Sequence, residues 1–261
     1  MIETKALVAG RRTPLVDVPD MLLAPGSLVA IIGPNGVGKS TLLATLAGRI
    51  APLAGAVFVN DASVHALSAR RRALRLAYLP ADDVTGEPMI VREVVLQGRL
   101  AHRPWWLTGS RGEDLGEVDR ALDVMGLVAL AARDTATLST GEQQRVWIAM
   151  ALAQSTPAIM LDEPTSHLDV RNAGALLVRL RRSADGGKLV VVVLHDLNLA
   201  AAFAHRIILL GAGSVRAAGT PAEVLTPEHL SACYGVPMQV VEHAPGALLI
   251  APVFQREEAF A

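Results

Sequence analysis

Apolar runs alternate with helically spaced segments along most of the chain. Ser27 to Ile32 (SLVAII) is a short apolar run that ends at a glycine-rich loop. Leu42, Leu43 and Leu46 follow at helical spacing before Gly48, so the local order is strand, loop, helix. Ala56 to Val59 and Leu76 to Leu79 read as further strands. From about Asp82 to Ser155 the pattern is helical with no strong strand, and Pro104, Gly109, Gly112 and Gly116 mark loops within it. Strand-like runs resume at Ala158 to Leu161, Leu189 to Leu194 and Ile207 to Leu210. Unbroken apolar strands separated by helices predict an α/β fold whose mostly parallel sheet is covered on both faces. Residues 1–81 and 156–225 form the α/β core in this reading, with a small antiparallel β element at the N-terminus. Residues 82–155 form an inserted helical subdomain, and 226–261, with mixed helix and strand signals, form an appended element of the same domain.

Composition narrows the function classes. The chain has 24 basic and 25 acidic residues, so no strongly basic face is implied and nucleic acid is not an expected partner. Cys233 is the only cysteine among 261 residues, which excludes an internal disulfide and a cysteine metal cluster and fits a reducing compartment. Its bland role is that of a small buried residue. The opening MIETKALVAGRR has no long apolar stretch and no small-residue cleavage pattern, so no signal peptide is expected. The run Leu189 to Leu194 is far shorter than the roughly 20 residues a bilayer span needs. Any membrane role is expected to come through a partner.

Three segments carry chemistry. Gly33-Pro-Asn-Gly-Val-Gly-Lys-Ser-Thr41 fits G-x-x-x-x-G-K-[ST] in full. Glycines at 33, 36 and 38 let successive backbone N–H groups, including that of Asn35, turn toward phosphate oxygens, and the following helix adds its positive end. Lys39 reaches the outer phosphates, and the Ser40 hydroxyl beside Thr41 is suited to Mg²⁺. The chain is therefore expected to bind a nucleoside triphosphate. Ala158 to Leu161 ends in Asp162 and Glu163, and carboxylates at the C-terminal end of such a strand sit where ligands bind in open α/β sheets. Alone, the pair could be a helix cap with an acidic first turn. Beside the glycine-rich loop, Asp162 is suited to hold Mg²⁺ and Glu163 to orient or deprotonate an attacking water. His195 follows the strand Leu189 to Leu194 and lies at the same sheet edge, within reach of a terminal phosphate. Leu138-Ser-Thr-Gly-Glu-Gln-Gln-Arg145 precedes an apolar helix, and Ser139 with Glu142 reads locally as a capping box and nothing more.

Together these motifs resemble the ATP-binding subunit of ABC transporters, over nearly the whole chain and in that family's order. Walker A corresponds to Gly33–Thr41, Walker B to Ile159–Asp162, the catalytic glutamate to Glu163, the signature to Leu138–Glu142, the D-loop to Ser166–Asp169 and the switch histidine to His195. The resemblance implies a P-loop NTPase core of the RecA-like kind, with ATP and Mg²⁺ as ligands; the choice of ATP over GTP comes from it alone. It implies ATP hydrolysis, catalysed through Glu163 and His195 and coupled to transport. It also implies a head-to-tail ATP-dependent dimer, in which Ser139, Gly141 and Glu142 of one copy approach the phosphates bound by the other, with Asp169 nearby. A transmembrane permease would dock on the helical insertion and hold the chain at the cytoplasmic face of the membrane.

A narrower resemblance rests on "VREVVLQGR", "HDLNLAAAFAHRIILL" and "AGTPAEVLTPEHLSACYGVPMQVV". These segments resemble the subgroup that powers import of iron–siderophore complexes, haem or cobalamin, whose permeases work with an extracytoplasmic substrate-binding protein. The alternatives are a soluble ABC-type ATPase of the iron–sulfur assembly kind and a hydrolysis-poor regulatory subunit. The second is kept open by departures from the family pattern. Ala81 stands where Leu79-Pro80 is usually followed by glutamine, with Asp82 and Asp83 as candidate substitutes for its metal contact. Thr140 replaces the first glycine of the signature. No adenine-stacking aromatic occurs near Ala9 to Arg12, which leaves Arg11 or Arg12 for that role. Trp105 and Trp106 read either as packing under a loop or as an anchor for the permease.

Overall fold

The computed structural model describes residues 1–81, 88–103, 112–166 and 168–254. Thirteen strands and nine α-helices fall within these residues. The first strands, β1 (Ile2–Gly10), β2 (Pro14–Val18) and β3 (Met21–Leu23), lead to β4 (Ser27–Ile32) and helix α1 (Lys39–Leu46). Then come β5 (Ala54–Val59), β6 (Ala62–Ser63), α2 (Ala69–Ala73) and β7 (Leu76–Leu79). Helices α3 (Val91–Gln97), α4 (Gly112–Met125) and α5 (Thr140–Ala153) follow without an intervening strand among the described residues. Strand β8 (Ala158–Leu161), α6 (Val170–Asp185), β9 (Leu189–Val193), α7 (Leu197–Phe203), β10 (Arg206–Gly211) and β11 (Ser214–Gly219) complete the main sheet. The chain ends with α8 (Pro221–Val224), α9 (Pro227–Tyr234) and a hairpin of β12 (Met238–Ala244) with β13 (Ala247–Pro252).

The large sheet runs β6-β5-β1-β2-β11-β10-β4-β9-β8-β7, with β3 paired to β1 off that path. The segment β10-β4-β9-β8-β7 is parallel, whereas β1 pairs antiparallel with β2, β3 and β5. The two parts meet at one parallel pairing, Ser214 beside Asp17. All five residues of β9 are buried, because both faces of the parallel segment are covered. Alternation sorts them between two cores. Leu28, Ala30, Ile32, Val190 and Val192 face the cluster under α3–α6. Val29, Ile31, Val191 and Val193 face the cluster that holds Leu42, Leu43 and Leu46 of α1. This explains why the sequence shows continuous apolar runs rather than an in–out pattern.

Helix α6 buries Ala173, Leu176, Leu177, Leu180 and Ala184, the spacing of a single apolar stripe. Cys233 is partly buried, and its Sγ would lie 2.6 Å from a Cβ on Gly211; only glycine lets α9 lie this close to the end of β10. No helix among the described residues is long and apolar enough to cross a membrane.

Candidate nucleotide-binding site

Strand β4 stops at Gly33 because the chain must turn sharply there. Gly33, Gly36 and Gly38 have φ of 146°, 77° and 105°, a region that side chains with a Cβ rarely enter. A Cβ at Gly33 would lie 2.4 Å from the Leu210 carbonyl oxygen, and one at Gly38 would lie 2.5 Å from Val16 Cγ2. The loop delivers Lys39 at the first turn of α1, whose N-cap is Gly38. Lys39 is 5% exposed, and its Nζ donates to the carbonyls of Gly33 and Pro34 at 2.9 Å each. Burial pulls its pKa down, while the nearby carboxylates of Glu163 and Asp162 oppose that shift.

Strand β8 delivers the two acids. The Asp162 N–H donates to the Leu79 carbonyl at 2.9 Å, which extends the β7–β8 pairing by one residue. The Asp162 side chain accepts from Ser40 Oγ at 3.1 Å and is 3% exposed. Two hard oxygen donors from different elements thus meet beside the phosphate loop. Mg²⁺ usually takes one or two protein oxygens and completes its shell with water and substrate phosphate, so the pair fits that ion without a larger cluster. Among the described residues no group of three or more His, Cys, Asp or Glu side chains is arranged for a metal.

Glu163 turns the chain out of the strand with φ 48°. Its carbonyl accepts from the N–H and the hydroxyl of Ser166 at 3.1 and 2.8 Å. Its carboxylate oxygen lies 2.6 Å from His195 Nε2. His195 reaches it from the turn between β9 and α7, where Asp196 caps the helix by accepting from the N–H groups of Asn198 and Leu199 at 2.8 and 3.0 Å. The Glu163–His195 pair stands between two cavities. One, of about 420 Å³, is lined by the phosphate loop, Lys39, Ser40, Thr41 and Leu15. The other, of about 210 Å³, is bounded by Thr165, Ser166, Leu168 and Val170.

The structure brings Gly33, Asn35, Gly36, Gly38, Lys39, Ser40, Thr41, Asp162, Glu163 and His195 to one edge of the sheet. Ser139, Gly141 and Glu142 are elsewhere, at the start of α5. Ser139 and Glu142 make a reciprocal capping box there, and hydrogen bonds from the Ser139 backbone and hydroxyl hold the Glu142 carboxyl below its ordinary range. Gly141 lies against Leu168, whose Cδ2 would be 3.0 Å from a Cβ at that position. Asp169 caps α6, accepting from Asn172 N–H at 2.7 Å. Sequence reading missed Leu15, which supplies the cavity with an apolar wall from β2. Nothing in its local pattern marked it; only the sheet topology places it beside the loop. Ala81 is exposed just past β7. Asp82, Asp83, Trp105 and Trp106 lie outside the described residues.

Comparisons with known proteins show what the chain is similar to. The family model described as "ABC transporter" matches residues 16–166. The hemin import ATP-binding protein HmuV of Nocardia farcinica is 42% identical over 240 residues, covering 92% of this chain and 82% of that protein. The cobalamin import ATP-binding protein BtuD of Halobacterium salinarum is 40% identical over 256 residues, and the chain spans 63% of its length. Among solved structures, an inward-facing metal-chelate type ABC transporter superposes with TM-score 0.83 at 28% identity, covering 97% of this chain and 98% of that one. A dimeric ATP-binding cassette in a post-hydrolysis state, bound to ADP and Pi, superposes with TM-score 0.73 at 27% identity over 85% of this chain and 99% of that one. With the phosphate loop, the paired acids and the histidine on one edge of a matching fold, the chain belongs to the ABC transporter family as an ATP-binding, ATP-hydrolysing subunit.

Proposed function

We propose that this chain is the ATPase of an importer for a metal chelate of the haem, cobalamin or iron–siderophore class, and that it works as a head-to-tail pair. The observation that carries the catalytic part is the 2.6 Å contact between Glu163 and His195 at the mouth of the phosphate-loop cavity. The substrate class is supported by the hemin and cobalamin relatives and by the metal-chelate neighbour. Permease subunits and an extracytoplasmic binding protein complete the system, with residues 82–155 as the subdomain that meets the permease. In that arrangement the chain sits at the cytoplasmic face of the membrane.

The loop N–H groups from Gly33 to Thr41 and the Lys39 ammonium bind and orient the phosphates. Ser40 and Asp162 would hold Mg²⁺, which when bound neutralises charge on the outer phosphates. Glu163 accepts a hydrogen bond from the attacking water and aligns it with the terminal phosphorus. His195 orients the Glu163 carboxylate and reaches the terminal phosphate. Ser139 and Gly141 of a second copy bring a helix N-terminus to that phosphate, with Glu142 fixing Ser139 and Asp169 lying at the same seam.

Phosphate release by the assembled transporter is the decisive measurement. Removing a positioned acid–base group costs on the order of 10²–10⁴ in rate, so Glu163→Gln is expected to lose at least about 10²-fold in kcat with ATP binding retained. A wild type no faster than Glu163→Gln would favour the hydrolysis-poor regulatory reading, which Ala81 and Thr140 motivate.

A further inference from the structure

The appended C-terminal unit is tied to the start of α7 by one amide. Asn198 Oδ1 accepts from the Ile250 N–H at 2.8 Å, and Asn198 Nδ2 donates to the Ile250 carbonyl at 3.2 Å. One side chain thereby satisfies both backbone groups of a strand residue, as a neighbouring strand would. Ile250 belongs to β13, is 5% exposed and pairs with Val240 of β12. The hairpin is fixed in turn to α9, where the Ser231 hydroxyl accepts from the Met238 N–H at 2.9 Å. At its other end Asn198 sits in the first turn of α7, and its own N–H is held by Asp196, the residue after His195. A seven-residue helix is too short to hold its first turn by itself. The hairpin supplies the external restraint, and the turn it restrains begins two residues after the histidine that meets Glu163.

We propose that Asn198 is a positioning residue for hydrolysis, through which the C-terminal hairpin holds His195 in register with Glu163. This rests on the assignment of Glu163 and His195 to hydrolysis made above. Loss of the amide lets the first turn of α7 shift, and a displacement of about 1 Å at a reacting group can cost as much as about 10²-fold in rate. The phosphate loop is untouched by this change, so nucleotide affinity should hold. Truncating the hairpin is a poorer test, because the same unit also reaches the loop: the partly buried Tyr234 phenol lies beside the Gly33 backbone.

The experiment is a double-mutant cycle on phosphate release by the full-length chain with its permease, with thermal unfolding as the folding control. Asn198→Ala is expected to lower kcat about 10-fold, within the range that misplacement allows, with KM for ATP within about two-fold. Asn198→Asp, which keeps the acceptor for the Ile250 N–H, should fall between wild type and Asn198→Ala, and it provides the reading if the alanine variant does not fold. In a His195→Ala background the same substitution should cost nothing further, because residues acting through one group are not additive. Equal losses in both backgrounds, or a wild-type rate for Asn198→Ala, would overturn the proposal. A wild-type rate for His195→Ala would instead overturn the role given to His195 itself, whatever Asn198→Ala does.

Discussion

Glu163 holds its left-handed φ of 48° without a glycine's freedom. Such conformations cost on the order of 1–3 kcal/mol and persist only where surrounding contacts fix them. Here Ser166 bonds its carbonyl twice and His195 meets its carboxylate, so the strained residue is the one proposed to direct the attacking water. Tyr234 plays a comparable part for the phosphate loop. Burial pushes the pKa of its phenol up to about 12, with the neighbouring Gly33 backbone opposing the rise, so it stays protonated at neutral pH. Tyr234→Phe removes the hydroxyl beside the loop, and loss of one such polar contact costs about 0.5–1.5 kcal/mol. The expected outcome is lower stability in urea unfolding by that amount, together with several-fold weaker ATP binding in a direct titration. Unchanged values for both would show that the loop does not depend on the phenol.

At the scale of elements, His205 couples the starts of β4 and β10. Its backbone N–H donates to the Leu28 carbonyl at 2.8 Å, and its Nδ1 accepts the Leu28 N–H at 2.9 Å. That bond requires Nδ1 to be unprotonated, so the neutral ring carries its proton on Nε2, which faces Asp185 at 3.1 Å. Burial and the nearby Arg181 lower the His205 pKa from 6.5, and Asp185 opposes them. With the folded pKa below the unfolded one, the unfolded chain binds more protons in between, so stability rises with pH there. The contribution is complete above about pH 6.5 and is lost as pH falls toward the folded pKa. Replacing His205 with Asn should flatten the pH dependence of stability below about pH 6.5, relative to wild type, in unfolding titrations. An unaltered slope would assign the acid sensitivity to other groups.

This coupling also marks what could be read from residues in advance. Strands β4, β7, β8, β9 and β10 were legible because both their faces are buried, and the helix at Lys39 because glycines announce its entrance. The capping box at Ser139 was legible because it is local. Leu15 in the cavity wall, Asn198 on Ile250 and His205 on Leu28 were not. Each depends on a partner far along the chain or on the order of strands, and periodicity carries no information about either.

On the scale of the whole molecule, the position of Ser139 sets the last expectation. In one chain its hydroxyl accepts the Glu142 N–H and caps α5, and the helix N-terminus it closes lies outside the cavity that holds Lys39. A capped N-terminus with exposed Ser139 and Thr140 is suited to an anion brought by another molecule, and in a head-to-tail pair that anion is the terminal phosphate on the partner's loop. The two roles predict different losses. As a cap alone, Ser139→Ala costs about 1 kcal/mol of stability and leaves association unchanged. If the serine also closes the shared site, the variant loses ATP-dependent dimerisation as well. Light scattering with ATP in a Glu163→Gln background, where hydrolysis does not dissolve the pair, separates them. Well below the unfolding temperature, the parent should shift from one copy to two on adding ATP, and Ser139→Ala should stay single at the same concentration. Thr140→Gly, which would remove a Cβ from the approach to phosphate in the head-to-tail pair proposed above, should move the equilibrium the other way and favour the pair at lower ATP.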